Sequence, residues 1–173
     1  MNDDKTVLRE KMMYTLSVYV SNKPGVLARI SHVFARRGFN IDSLVVSSSL
    51  EGEYSRMTIT AAGDHAKLEQ MILQLNKLVD VIHCTEHTGD DAVLRELALV
   101  KVIAGELAER TAVIQIVEHF GIKTVDLTPS SMILMITGAT GKIDAAIELL
   151  RQFKMVELVR TGGVVMARGD KET

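Results

Sequence analysis

The sequence predicts an α+β fold built from two tandem ferredoxin-like units, each in the order β-α-β-β-α-β. Three observations predict it. Apolar residues alternate with period two in some segments and recur near period 3.6 in others. Glycines and short polar residues mark the changeovers. The same order of segments occurs twice along the 173 residues, although no residue-level repeat relates the halves.

Residues 1–11, MNDDKTVLREK, are densely charged and are expected to form a mobile extension. Met12, Tyr14, Leu16, Val18 and Val20 then share one face of a half-buried strand. Val26, Leu27, Ile30, Val33 and Phe34 keep helical spacing, and Gly38 stands where a left-handed cap ends a helix. A strand is expected from Phe39 to Ser48, a turn at LEGE, and a strand from Tyr54 to Ala62 with Met57 and Ile59 inward. Asp64 can cap a second helix whose stripe is Leu68, Met71, Ile72 and Leu75. LVDVIHC closes this unit, which spans residues 12–86. The polar stretch EHTGDDAV carries the linker, placed at residues 87–93.

The second unit, residues 94–173, repeats the order. LALVKVI reads as a strand, Leu107 to Phe120 as a helix with Gly121 past its end, and KTVDLT and MILMIT as two strands. Ile143, Ala146, Ile147 and Leu150 mark a helix, and MVELV closes the set. Each unit is small enough to be marginal alone, and its sheet leaves an open face and edges. An obligate oligomer is expected.

Composition removes several classes of function. The chain is 47% hydrophobic and 24% charged, and its net charge of -2 is spread evenly, which gives no electrostatic case for nucleic acid or an anionic membrane. Arg36 and Arg37 read as helix-end charges rather than a nucleic-acid patch. No signal peptide is expected, and no apolar run approaches the roughly 20 residues of a membrane helix. The single cysteine, Cys84, fits a reducing compartment, so the cytoplasm is the expected location.

Motifs that resemble chemistry are incomplete. ITGATGKID has the strand-glycine-helix order of a phosphate loop, but Ile136 stands at the first glycine position and Ile143 follows Lys142 where Ser or Thr is needed. HCTEH brings His83, Cys84 and His87 close in sequence as possible metal ligands, yet neighbours on a strand point to opposite faces. A metal-responsive regulator on this fold is the reading such a cluster would support. His32, His65 and His119 have no evident carboxylate or nucleophile partner, and no nucleophile-base pair or dinucleotide fingerprint stands out, so no catalytic residue is assigned.

The stretch VSNKPGVLARI is more informative. Pro24 presets φ, and Gly25 lets a ligand approach the chain without a Cβ in the way. Free N–H groups of Gly25, Val26 and Leu27 at a helix start make a site for a carboxylate, and Asn22 can add a side-chain hydrogen bond. The same residues serve equally well as a simple cap and turn.

NKPGVLARISHVFARRGFNIDSL resembles the ligand-binding core of the ACT domain family, specifically the small regulatory subunits of acetohydroxyacid synthase, also called acetolactate synthase. The likeness continues through SRMTI, LNKLVDVI, RELALVKV, TPSSMILMITG and RTGGVVMARGDK. It implies that the first unit is an ACT domain in a non-catalytic subunit. Such a subunit binds and activates a thiamine-diphosphate-dependent catalytic subunit and confers feedback inhibition by valine or another branched-chain amino acid. It implies no cofactor here, with thiamine diphosphate, magnesium and FAD in the catalytic partner. It carries the effector site onto Asn22, Gly25, Val26 and Leu27, joined by Asn40 and Ile41 of a neighbouring protomer in an edge-to-edge ACT dimer. Val26 and Leu44 would line the apolar end. An amino-acid-sensing ACT protein serving a different enzyme is the alternative.

Overall fold

The alternating run beginning at Met12 forms β1 (Met12–Ser21), with Tyr14, Leu16, Val18 and Val20 buried on one face. The computed structural model describes residues 12–87 and 91–173. The expected extension over residues 1–11, and residues 88–90 of the expected linker, lie outside the described residues. After β1 come α1 (Val26–Arg37), β2 (Asn40–Ser48), β3 (Tyr54–Gly63), α2 (His65–Leu75) and β4 (Val81–His87). The second unit has β5 (Ala92–Ile103), α3 (Leu107–Phe120), β6 (Lys123–Leu127), β7 (Ser131–Gly138), α4 (Thr140–Leu150), β8 (Lys154–Arg160) and β9 (Val164–Ala167).

The first sheet is antiparallel, in the order β2-β3-β1-β4, so the two central strands, β1 and β3, pair without being consecutive in the chain. The second repeats that arrangement as β6-β7-β5-β8. These are the strand orders of a split βαβ unit, and the fold is α+β with tandem ferredoxin-like units. Each unit has its own core. Val26, Ile30 and Phe34 of α1 and Leu68, Met71 and Leu75 of α2 pack on the inner face of the first sheet. Val113 of α3 and Ile143, Ala146, Ile147 and Leu150 of α4 cover the second.

Element ends follow local chemistry. Gly38 takes φ 71° beyond α1, with the amides of Gly38 and Phe39 closing on the carbonyls of Ala35 and Phe34. The Asp64 carboxylate accepts from the amides of Ala66 and Lys67 at the start of α2.

Three features differ from the sequence reading. β4 starts at Val81 rather than Leu78, because Leu78 and Val81 donate back to Leu75 and Leu78 and keep the chain turning after α2. β4 and β5 also reach into the stretch read as linker. β9 was not anticipated. It pairs with the first third of β5, from Ala92↔Ala167 to Arg95↔Val164, a partner that exists only because β5 begins so early.

The outer face of the first sheet is polar and partly covered by the chain itself. Ser17 pairs with Thr58 and Thr15 with Thr60, and both Ser17 and Thr58 are buried. Ser43 Oγ and Thr60 Oγ1 lie 2.5 Å apart. Residues 160–163, the end of β8 and the link to β9, lie against this face where Gly162 meets Ser43, and the main-chain oxygen of Thr173 is 3.0 Å from His83 Nε2.

Candidate functional site

The loop from β1 to α1 is held from below and open above. Asn22 N donates to Glu53 O at 2.8 Å and Asn22 Nδ2 to Gly52 O at 3.0 Å, so the loop is tied to the β2–β3 turn. The Asn22 side-chain nitrogen is thus engaged, and what it offers a ligand is the acceptor Oδ1. Gly25 is the N-cap of α1 with φ 84°, a left-handed conformation that side-chain-bearing residues adopt at a cost.

Gly25 provides no side-chain cap, and no acid sits in the first turn. Val26 N makes only a long 3.4 Å contact to Lys23 O. Among the described residues no main-chain oxygen outside the helix accepts from Gly25, Leu27 or Ala28. The helix therefore presents donors and the positive end of its dipole uncompensated by any carboxylate of its own. The Val26 side chain is buried in the first core, while Leu27 is 40% exposed. Val26 can serve a ligand through its amide, and Leu44 packs against the same core.

The sequence reading missed Arg29 and Asp80. Arg29 Nη1 lies 3.3 Å from where a Gly25 Cβ would stand, and Arg29 Nη2 is 2.6 Å from Asp80 Oδ2. Different nitrogens of one guanidinium thus face the glycine and the acid. Asp80 also accepts Ser21 N through its main-chain oxygen at 2.8 Å, fixing the end of β1. The four-residue step from Gly25 to Arg29 is visible in the sequence, because i and i+4 neighbour each other on a helix. Nothing local marks Asp80, which reaches the loop only through the pairing of β1 with β4.

Asn40 and Ile41 do not join this cluster within one chain. Asn40 pairs with Ala62, which faces Met13, whereas Ser48 pairs with Ser55 at the end where Ser21 meets Tyr54. The 9 residues of β2 therefore separate Asn40 from the loop by roughly 26 Å along the sheet. Asn22, Gly25, Val26 and Leu27 stand together at one end, and Asn40 and Ile41 stand at the other, on an edge strand.

Other candidates are accounted for by the fold. Cys84 faces the first core opposite Val18, and burial pushes its thiol up to about 12. His83 faces the other way, opposite Tyr19, and stacks on its ring at 5.4 Å. Burial lowers the pKa of the His87 imidazole, aided by the nearby Arg56 charge, and its buried Nε2 has no hydrogen-bond partner among the described residues. No cluster of three or more metal-ligating side chains occurs among the described residues. In ITGATGKID, Lys142 folds back to Thr137 O at 3.2 Å and Thr140 bonds Glu96, which turns both away from a ligand at the helix start. No helix among the described residues is long and apolar enough to cross a membrane.

Comparison with known proteins matches both halves. Residues 16–83 fit the model described as the AHAS small subunit-like ACT domain, and residues 95–169 fit the small subunit of acetolactate synthase. The chain is 44% identical over 161 residues to the "Probable acetolactate synthase small subunit" of Archaeoglobus fulgidus, covering 93% of this chain and 100% of that one. It is 42% identical over 158 residues to the acetolactate synthase small subunit of Mycobacterium bovis, covering 91% and 94%. The crystal structure of the Thermotoga maritima acetolactate synthase small subunit superposes with a TM-score of 0.81 at 39% identity, over 92% of this chain and 99% of that one. Two matched halves in the same order, and likeness over nearly the full length of each relative, mean that this chain belongs to the acetolactate synthase small-subunit family.

Proposed function

We propose that this protein is the regulatory subunit of acetolactate synthase, binding and activating the thiamine-diphosphate-dependent catalytic subunit and conferring feedback inhibition by valine. Magnesium and FAD, like thiamine diphosphate, belong to the catalytic partner in this reading. The observation that carries the effector site is the start of α1. Unengaged amides, a left-handed Gly25 and the Arg29 guanidinium surround one spot that suits a carboxylate. Asn22 Oδ1 suits the ammonium beside it.

The split between loop and edge strand is resolved by a second copy. An antiparallel pairing of β2 with itself, centred on Leu44 at the strand midpoint, sets the partner's Asn40 opposite Ser48. That is the end of the sheet from which Asn22 and Gly25 project. The pocket is then shared across the dimer, and occupancy favours one arrangement of the two chains over another. Regulation requires that difference, because equal affinity for both arrangements shifts nothing.

Free valine has about 8 heavy atoms, and at roughly 0.7 kcal/mol each it can reach about -6 kcal/mol, or tens of micromolar. Calorimetric titration of valine into the wild type and Gly25→Asp tests the site. The aspartate adds a Cβ and a negative charge where the effector carboxylate sits. Micromolar heat lost in a dimeric, folded variant supports the reading, and equal binding by both proteins sinks it. Co-purification with the catalytic subunit of acetolactate synthase separates this function from that of an ACT protein serving another enzyme.

A further inference from the structure

Residues 160–163 are bolted to the second unit. Arg160 Nε and Nη2 each reach Glu96 Oε2 at 2.6 Å, and Nη1 reaches Asp144 Oδ1 at 2.6 Å. Thr161 N donates to Leu97 O at 2.9 Å, and Leu97 N donates to Thr161 Oγ1 at 3.0 Å. A Cβ on Gly163 would lie 2.9 Å from Leu94 Cδ1, so that residue too is packed flush on β5.

Held this way, the segment presses Gly162 onto the first unit. A Cβ on Gly162 would lie 2.7 Å from Ser43 Oγ, 2.9 Å from Ser43 Cβ and 3.1 Å from Val45 Cγ2. Both residues belong to β2. The register of β2 against β3 shifts between Ile41 and Ser43, a bulge that divides Asn40 and Ile41 from the contact. Beside the contact, a cleft of about 890 Å³ separates residues 42–46 from Glu96, Thr137 and Arg160. The close approach therefore sits at the rim of open space.

We propose that the seat of Gly162 on Ser43 and Val45 is the contact through which occupancy of the effector pocket reaches the second unit. This rests on the effector reading above, which places Asn40 and Ile41 at the ligand. A ligand that draws the start of β2 toward a partner loads the bulge, and bulges are where strands change direction. Beyond it, Ser43 meets a glycine with no side chain to yield, so displacement passes into residues 160–163. The Arg160 and Thr161 bonds then carry it to β5 and α4. The contact is packed, and the ligand biases it between two arrangements.

Hydrogen exchange of the full-length protein, with and without saturating valine, tests this beside calorimetry. In the wild type, valine is expected to change protection of residues 158–167 by about fivefold or more. Gly162→Ala, which wedges the contact apart, is expected to bind valine within about threefold of the wild type while the protection change falls below about twofold. Ser43→Gly combined with Gly162→Ala removes the two shortest contacts and leaves only Val45 Cγ2 at 3.1 Å, where a few tenths of an ångström of yielding suffice. It is expected to restore the response, which also controls for a folding defect in the single variant. Valine binding without any protection change at residues 158–167 of the wild type overturns the coupling alone. Absence of valine binding to the wild type overturns the effector reading and the coupling together.

Discussion

Arg29 shows how much one residue can add to a site that looks like bare backbone. A cation four residues into a helix opposes the helix dipole, and α1 tolerates it because Asp80 holds one edge of the guanidinium at 2.6 Å. The other edge is left facing Gly25. Arg29→Met is expected to weaken valine about tenfold, the size of one lost charge-assisted hydrogen bond. An unchanged dissociation constant in calorimetry would reduce the pair with Asp80 to a surface ion pair. His87 gives a pH signature of a different kind. Its folded-state pKa lies below the ordinary 6.5, since burial and Arg56 disfavour the charged ring. The neutral ring's contribution is fully present above pH 6.5 and is lost as pH falls through the lower folded value, because the unfolded chain binds the proton first. Thermal midpoints of the wild type should fall on acidification in that window, and His87→Gln should flatten the fall.

At the scale of elements, caps and edges decide more than propensity. α2 begins where Asp64 accepts two amides, and Asp64→Ala is expected to cost about 0.5–2 kcal/mol in denaturant unfolding. A change of under a few tenths would mean that packing of Leu68, Met71 and Leu75 alone sets the helix. α1 was legible from Val26 to its Gly38 cap because periodicity and a terminal glycine are local signals. β9 was not legible. Val164, Val165 and Met166 form a short apolar run between glycines and charges, and it becomes a strand only when β5 supplies an edge to pair with. The start of β4 was misplaced for a related reason. Leu78 and Val79 are apolar, but hydrogen bonds back toward α2 hold that stretch in a turn.

For the whole molecule, the central expectation is that the effector pocket exists only in the dimer. In the proposed pairing of β2 about Leu44, that residue stands opposite its own copy, so Leu44→Lys would place two ammonium groups across the axis. The variant must keep a wild-type far-UV spectrum, because Leu44 also packs on the first core. The variant is expected to run as a monomer in light scattering and to bind valine at least about tenfold more weakly, having lost the partner's Asn40 and Ile41. A monomer that binds valine normally would remove the shared pocket from the model. The two cores are separate in space, and the second unit reaches the first through residues 160–163 and Thr173, on a sheet face lined by serine and threonine. That face was expected to need a partner from outside. Part of its cover comes from the chain itself.

The sequence alone determined the alternation of strands and helices, the doubled βαββαβ order and the Pro24-Gly25 helix start. Each depends on contacts within a few residues, where period, caps and turn chemistry act directly. The tertiary structure alone decided that Asp80 stands behind Arg29, that Asn40 lies a full strand length from Asn22, and that Gly162 rests on Ser43. Those relations join residues far apart in the chain, and they are set by strand register and by the packing of one unit on another. No local pattern carries that information, because the same strands in another register would show the same alternation.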